Sequence, residues 1–117
     1  MKIKGSGKQI KIFIGASDQW HQVPLYSAIV KRAREEGLAG ATVMQGAEGF
    51  GAHSRIHTTR ILRLSEDLPV VIEIVDKPER IEKFLPVLDE MVTEGLVTVQ
   101  DVDIAVYRHR FDSEDGK

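Results

Sequence analysis

Pro69-Val-Val-Ile-Glu-Ile-Val75 is the stretch on which the fold turns. β-Branched residues fill it, and Pro69 and Asp76 bound it, so it reads as a strand. Glu73 interrupts the apolar run. Two readings of it stay open. It faces solvent on the less buried face, or it accepts hydrogen bonds from a ligand or a neighbouring subunit, because an unpaired buried carboxylate is costly.

Downstream, Asp76-Lys-Pro-Glu79 has the spacing of a helix-starting capping box. Ile81, Phe84, Leu85, Leu88, Met91 and Val92 then form one apolar stripe, which predicts a helix ending at Gly95 with Pro86 inside it. A last strand is expected from Val99 to Tyr107, followed by a basic and then acidic tail.

Upstream, Ser65-Glu66-Asp67 reads as a turn, and Ile56 to Leu64 has a mixed period. Before them comes Gly40-Ala-Thr-Val-Met-Gln-Gly-Ala-Glu-Gly-Phe-Gly-Ala-His-Ser-Arg55. A short strand, Ala41 to Met44, runs into Gly46, Gly49 and Gly51, with Phe50 between the last two. Such glycines mark either a plain connection or a backbone that a ligand approaches closely. The order of glycines is neither a dinucleotide fingerprint nor a Walker loop. Exposed amides that could face an anion remain.

Lys8 to Gly15 alternates, with Ile10, Ile12 and Ile14 on one face, and reads as the first strand. Ala16 to Gln22 is a loop holding the single tryptophan, Trp20. Pro24 opens a helix with Leu25, Ala28, Ile29 and Ala33 on its apolar side, closed by Gly37. The order strand–helix–strand–strand–helix–strand is the α+β, ferredoxin-like β-α-β-β-α-β arrangement, an antiparallel sheet with two helices on one face. Apolar residues on both sheet faces imply self-association.

The 117 residues suit one domain, 1–117, with a core at 8–110 and a flexible tail at 111–117. The net charge of −2 gives no general pull toward nucleic acid, and no apolar run is long enough to insert in a membrane. With no cysteine, thiol chemistry is excluded, and a cytoplasmic location is expected. His53 and His57 lie four apart, but their segment lacks a helical pattern and spacing supplies no third ligand, so no metal is expected. Arg108 and Arg110 alternate and suit a phosphate.

The runs Gly40-Ala-Thr-Val and Gly49-Phe-Gly51, with Leu68-Pro-Val-Val-Ile-Glu-Ile-Val75 and the closing Tyr-Arg-His-Arg-Phe-Asp-Ser-Glu-Asp, resemble the PII signalling proteins. The resemblance is closer to the PII-like family designated domain of unknown function one-ninety, which shares Gly-Leu-Ala-Gly-Ala-Thr-Val and Glu-Gly-Leu-Val-Thr. It covers about Lys8 to Arg110. It implies a non-enzymatic homotrimer whose inter-subunit clefts bind an adenine nucleotide. Thr42 would meet the adenine edge, and Gly46, Gly49, Phe50 and Gly51 would present backbone. Glu73 and Val75 would line the cleft, Arg108 and Arg110 would approach phosphates, and His53, Ser54 and Arg55 would add polar contacts.

The Gly-Asp-Gly-Lys of PII proteins is missing here: Gly95 to Asp103 reads Gly-Leu-Val-Thr-Val-Gln-Asp-Val-Asp, and Ala52 replaces a basic residue. AMP or ADP is therefore expected in preference to ATP. The loop at 47–59 would report occupancy to a partner, a transporter or a metabolic enzyme. Two alternatives are a divalent-metal-binding trimer of the copper-tolerance type, using His53, His57 and Glu73, and a small cleft enzyme with His53 or Glu73 as base.

Overall fold

The computed structural model describes residues 2–50 and 68–109. In chain order it has β1 (Lys2–Gly15), β2 (Gln19–Trp20), β3 (Val23–Pro24), α1 (Leu25–Glu35), β4 (Thr42–Gln45), β5 (Pro69–Asp76), α2 (Pro78–Met91) and β6 (Leu96–Arg108). Four strands form one sheet in the order β4-β5-β1-β6, and every pairing is antiparallel. This is the ferredoxin-like arrangement that the order of elements predicts.

Period-two alternation makes the core. Along β5, Val70, Ile72, Ile74 and Asp76 are buried, while Pro69, Val71, Glu73 and Val75 are half-buried on the other face. β1 matches it in register, with Ile10 opposite Ile74, Ile12 opposite Ile72 and Ile14 opposite Val70. Leu25, Ile29 and Ala33 of α1 and Ile81, Phe84, Leu88 and Met91 of α2 pack on this one face. Each such side chain, fully buried, contributes about 1.5–3 kcal/mol. Pro86 sits on the exposed side of α2, where the hydrogen bond it removes leaves a carbonyl that water can reach.

The opposite face carries two rows that cross all four strands. Met44, Val71, Phe13 and Leu96 form one, and Thr42, Glu73, Lys11 and Thr98 form the other. Phe13, Met44 and Leu96 are exposed.

The ends of β4, α2 and β6 shift by one to four residues from those expected, and three further local readings differ from the structure. β1 begins at Lys2, not Lys8. Residues 2–7 pair with β6 only, so β1 and β6 extend past the sheet as a two-stranded ribbon with a bulge between Ile3 and Gly5. Second, Asp76 does not cap α2. The N-cap is Lys77, it makes no side-chain cap bond, and Pro78 opens the helix. Third, the loop read from Ala16 to Gln22 contains the start of a small hairpin, in which Gln19 pairs with Pro24 and Trp20 with Val23.

His21 and Gln22 turn that hairpin with φ of 50° and 72°. Positive φ at both turn residues matches the right-handed twist of a two-residue hairpin, but the sequence lacks the Asn-Gly usually found there. The Trp20 ring meets His21 edge-on at 4.5 Å, which offsets part of the strain. Gln22 has no such contact. Glycine there removes left-handed strain of about 1–2 kcal/mol and gives back about 0.5–1 kcal/mol in chain entropy. Gln22→Gly is therefore expected to stabilise the fold by about 0.5 kcal/mol. A urea titration would show a higher midpoint with unchanged slope. A lower midpoint would mean that the Gln22 side chain itself holds the turn.

Candidate functional site

The site residues expected from the sequence divide between two places. The first is the loop after β4. The Gly46 amide donates to the Pro69 carbonyl at 2.7 Å, which ties the loop to the start of β5. A Cβ at Gly46 would lie 2.8 Å from Pro69 Cγ, and one at Gly49 would lie 3.2 Å from the same atom. These two glycines thus have a packing reason to be there, since the loop base closes on the proline ring. Phe50 follows and is 69% exposed, an unusual position for a phenyl ring. Gly51, His53, Ser54 and Arg55 lie outside the described residues, as do Arg110, His57 and most of the 47–59 loop.

The second place is the middle of the sheet and the end at which β5 leaves it. Thr42 is the register partner of Glu73, and both lie on the face away from the helices. Glu73 is half-buried and pairs loosely with Lys11, with Nζ 3.8 Å from Oε2. It lies on the less buried face, partly neutralised by a neighbour. Val75 lies on the same face, two positions on. Thr42 has an exposed side chain beside a carboxylate that can still accept hydrogen bonds. Such a pair can hold a planar group bearing both a donor and an acceptor.

Arg108 closes β6 at the ribbon's far end and is exposed. The ribbon is moored to the start of β4. The Tyr107 hydroxyl donates to the Ala39 carbonyl at 3.3 Å, three residues before Thr42. The Ala39 amide is held from the other side, donating to Asp76 Oδ2 at 2.8 Å. Asp76 is fully buried, and its Oδ1 accepts from the Lys77 amide at 2.7 Å. Arg80 Nη1 lies 3.8 Å from Oδ2 and donates to the Gly37 carbonyl at 3.2 Å.

One carboxylate thus joins the loop after α1, the start of α2 and, through Ala39, the ribbon. Sequence reasoning gave Asp76 a cap's role and left Tyr107 out. An acidic residue that ends an apolar strand on its buried phase was the available signal.

Elsewhere, Lys8 donates to Asp101 at 2.7 Å. That hydrogen bond, with the attraction of the same carboxylate, holds the ammonium above its ordinary pKa. Among the described residues no group of three or more His, Asp or Glu side chains is placed to hold a metal ion.

Residues 7–104 match the family profile DUF190, described as "Uncharacterized ACR". The chain belongs to the DUF190 family. A UPF0166 protein of Aquifex aeolicus is 35% identical over 97 residues, covering 83% of this chain and 91% of that one. A UPF0166 protein of Methanocaldococcus jannaschii is 37% identical over 98 residues, covering 83% and 90%.

Among solved structures, a putative PII-like signaling protein from Thermus thermophilus superposes with a TM-score of 0.60 at 15% identity, covering 86% of this chain and 91% of that one. CPII from Thiomonas intermedia, a nitrogen regulatory PII-like protein bound to ADP, AMP and bicarbonate, gives 0.63 at 15% identity, covering 90% and 99%. These likenesses establish a PII-like fold for this DUF190 chain.

Removing the Asp76 carboxylate would orphan the Ala39 amide and the Lys77 amide together. Hydrogen bonds to a charged group contribute about 1.5–3 kcal/mol each. Asp76→Ala is expected to cost about 3 kcal/mol, and Tyr107→Phe about 1 kcal/mol. Urea unfolding of both variants checks the ranking. A loss below about 0.5 kcal/mol in Asp76→Ala would show that water or another group takes over the carboxylate's role.

Proposed function

We propose that this DUF190 protein is a cytoplasmic, PII-like regulatory homotrimer that binds an adenine nucleotide between subunits and catalyses no reaction. The observation that carries this reading is the Thr42–Glu73 pair on the sheet face opposite the helices, beside the apolar row of Met44, Val71, Phe13 and Leu96. An apolar row in which Phe13, Met44 and Leu96 are exposed among the described residues favours packing against other copies. Thr42, Glu73 and Val75 would then meet the adenine at the edge of that interface. Phe50, Gly49 and Gly51 would meet the nucleotide from the loop base, and Arg108 and Arg110 would meet its phosphates. The CPII protein of the same fold, bound to ADP and AMP, supports the choice of ligand class.

AMP or ADP fits better than ATP. The stretch from Leu96 to Asp103 is regular strand carrying Asp101 and Asp103, and it offers no lysine where PII proteins resemble one another in having one. The loop at 47–59 would report occupancy to a partner such as a transporter or a metabolic enzyme, with His53, Ser54 and Arg55 adding polar contacts.

Two measurements test this. Analytical ultracentrifugation should give a trimer for the wild-type chain and a smaller species for Phe13→Glu, which sets a charge in the apolar row. Equilibrium titration should show binding of AMP or ADP, weakened at least about tenfold by Glu73→Ala, as expected for loss of a hydrogen-bonded charge. No binding of AMP, ADP or ATP at millimolar concentration would sink the nucleotide reading. A monomer that still bound would sink the inter-subunit cleft.

A further inference from the structure

The ribbon formed by β1 residues 2–7 and β6 residues 102–108 is longer than the core requires, since neither segment touches β5 in the pairing. One of its faces is occupied. Ile3 is only 3% exposed, and its register partner Tyr107 is half-buried and bonded to Ala39. The other face is open. Residue 2 is the register partner of Arg108, and Lys4 follows two positions along β1. Lys4 is exposed next to buried Ile3, and Arg108 is exposed next to half-buried Tyr107, so both lie on the side away from Ile3 and Tyr107 although a bulge falls between Ile3 and Gly5. Lys4 and Arg108 are exposed there, as is Val106 at 56%.

The charges along β1 differ in kind. Lys8 is bonded to Asp101, and Lys11 is paired with Glu73. Lys4 and Arg108 form no ion pair among the described residues. Asp103, opposite Ser6, is the acidic position on the ribbon, and it too forms no ion pair among the described residues. Two cations without an ion pair among the described residues, presented by a ribbon whose other face is moored, suit an anion.

We infer that Lys4 acts with Arg108 as the phosphate-contacting pair, taking the diphosphate of a nucleoside diphosphate. The inference rests on the nucleotide reading above. It supplies the lysine that the stretch from Gly95 to Asp103 lacks, from the opposite strand.

The test is isothermal titration of the full chain with ADP and, separately, with inorganic pyrophosphate, using wild type, Lys4→Gln, Arg108→Gln and Lys8→Gln. Lys4 is exposed and unbonded, so Lys4→Gln is expected to fold like the wild type, which circular dichroism checks. Lys4→Gln and Arg108→Gln should each weaken ADP about 5- to 20-fold, the range for one charge-assisted phosphate contact. Lys8→Gln, whose ammonium is already engaged by Asp101, should change it less than about twofold. A folded Lys4→Gln protein that binds ADP like the wild type overturns the inference and leaves the nucleotide reading standing. If the wild type binds no ADP, pyrophosphate decides. Pyrophosphate binding that Lys4→Gln abolishes upholds the pair as an anion site, and no pyrophosphate binding overturns it.

Discussion

The Asp76 carboxylate, with no surface exposed, is the interaction on which the rest of this structure depends. It ends β5 on the buried phase of the strand, where alternation calls for an apolar side chain. Its cost is offset by two short hydrogen bonds from backbone amides and a nearby guanidinium. The amide of Ala39 belongs to the turn between α1 and β4, and the amide of Lys77 to the start of α2. Both crossovers of the sheet are thereby pinned at one point. The carbonyl of Ala39 is left for Tyr107, so the ribbon end is fixed relative to the strand that begins at Thr42.

That arrangement explains why some elements were legible in the sequence and others were not. β5, the Lys8–Gly15 part of β1, and both helices announce themselves because their own side chains carry the period that buries them. Residues 2–7, Lys-Ile-Lys-Gly-Ser-Gly, carry no such period. They are strand only because β6 runs beside them, a non-local cause that local propensity cannot express. The hairpin at Gln19–Pro24 hides for a related reason, since its turn residues are His21 and Gln22 where glycine or asparagine would have signalled the conformation. Asp76 misled differently. Asp-x-x-Glu before a helix is a local motif, but burial gave the carboxylate stronger demands elsewhere.

The candidate site was legible to a lesser degree. Thr42 and Glu73, read separately along the chain, come together because β4 and β5 pair in that register. The glycines at 46 and 49 were open to two readings, and contact with Pro69 gives both a structural role without involving a ligand. Phe50 carries no such explanation, and its exposure sets it apart from the glycines around it. What no single chain can display is the remainder of a cleft that, on the proposed reading, a second copy completes.

Electrostatics then bears on which nucleotide such a cleft would hold. Lys4 and Arg108 stand in water, where a unit charge at contact distance contributes about 1 kcal/mol before screening by salt. Two cations of this kind match the charge of an AMP phosphate, and with Arg110, proposed above for the same phosphates, they would match that of an ADP diphosphate. A triphosphate adds charge that Asp103 on the same ribbon opposes, and Asp101 is already committed to Lys8. Affinity would therefore gain nothing from the third phosphate. Discrimination of this kind needs no contact that recognises AMP. It would follow from the limited positive charge that Lys4 and Arg108 offer, since Lys8, just beyond the ribbon on β1, has an acidic partner of its own.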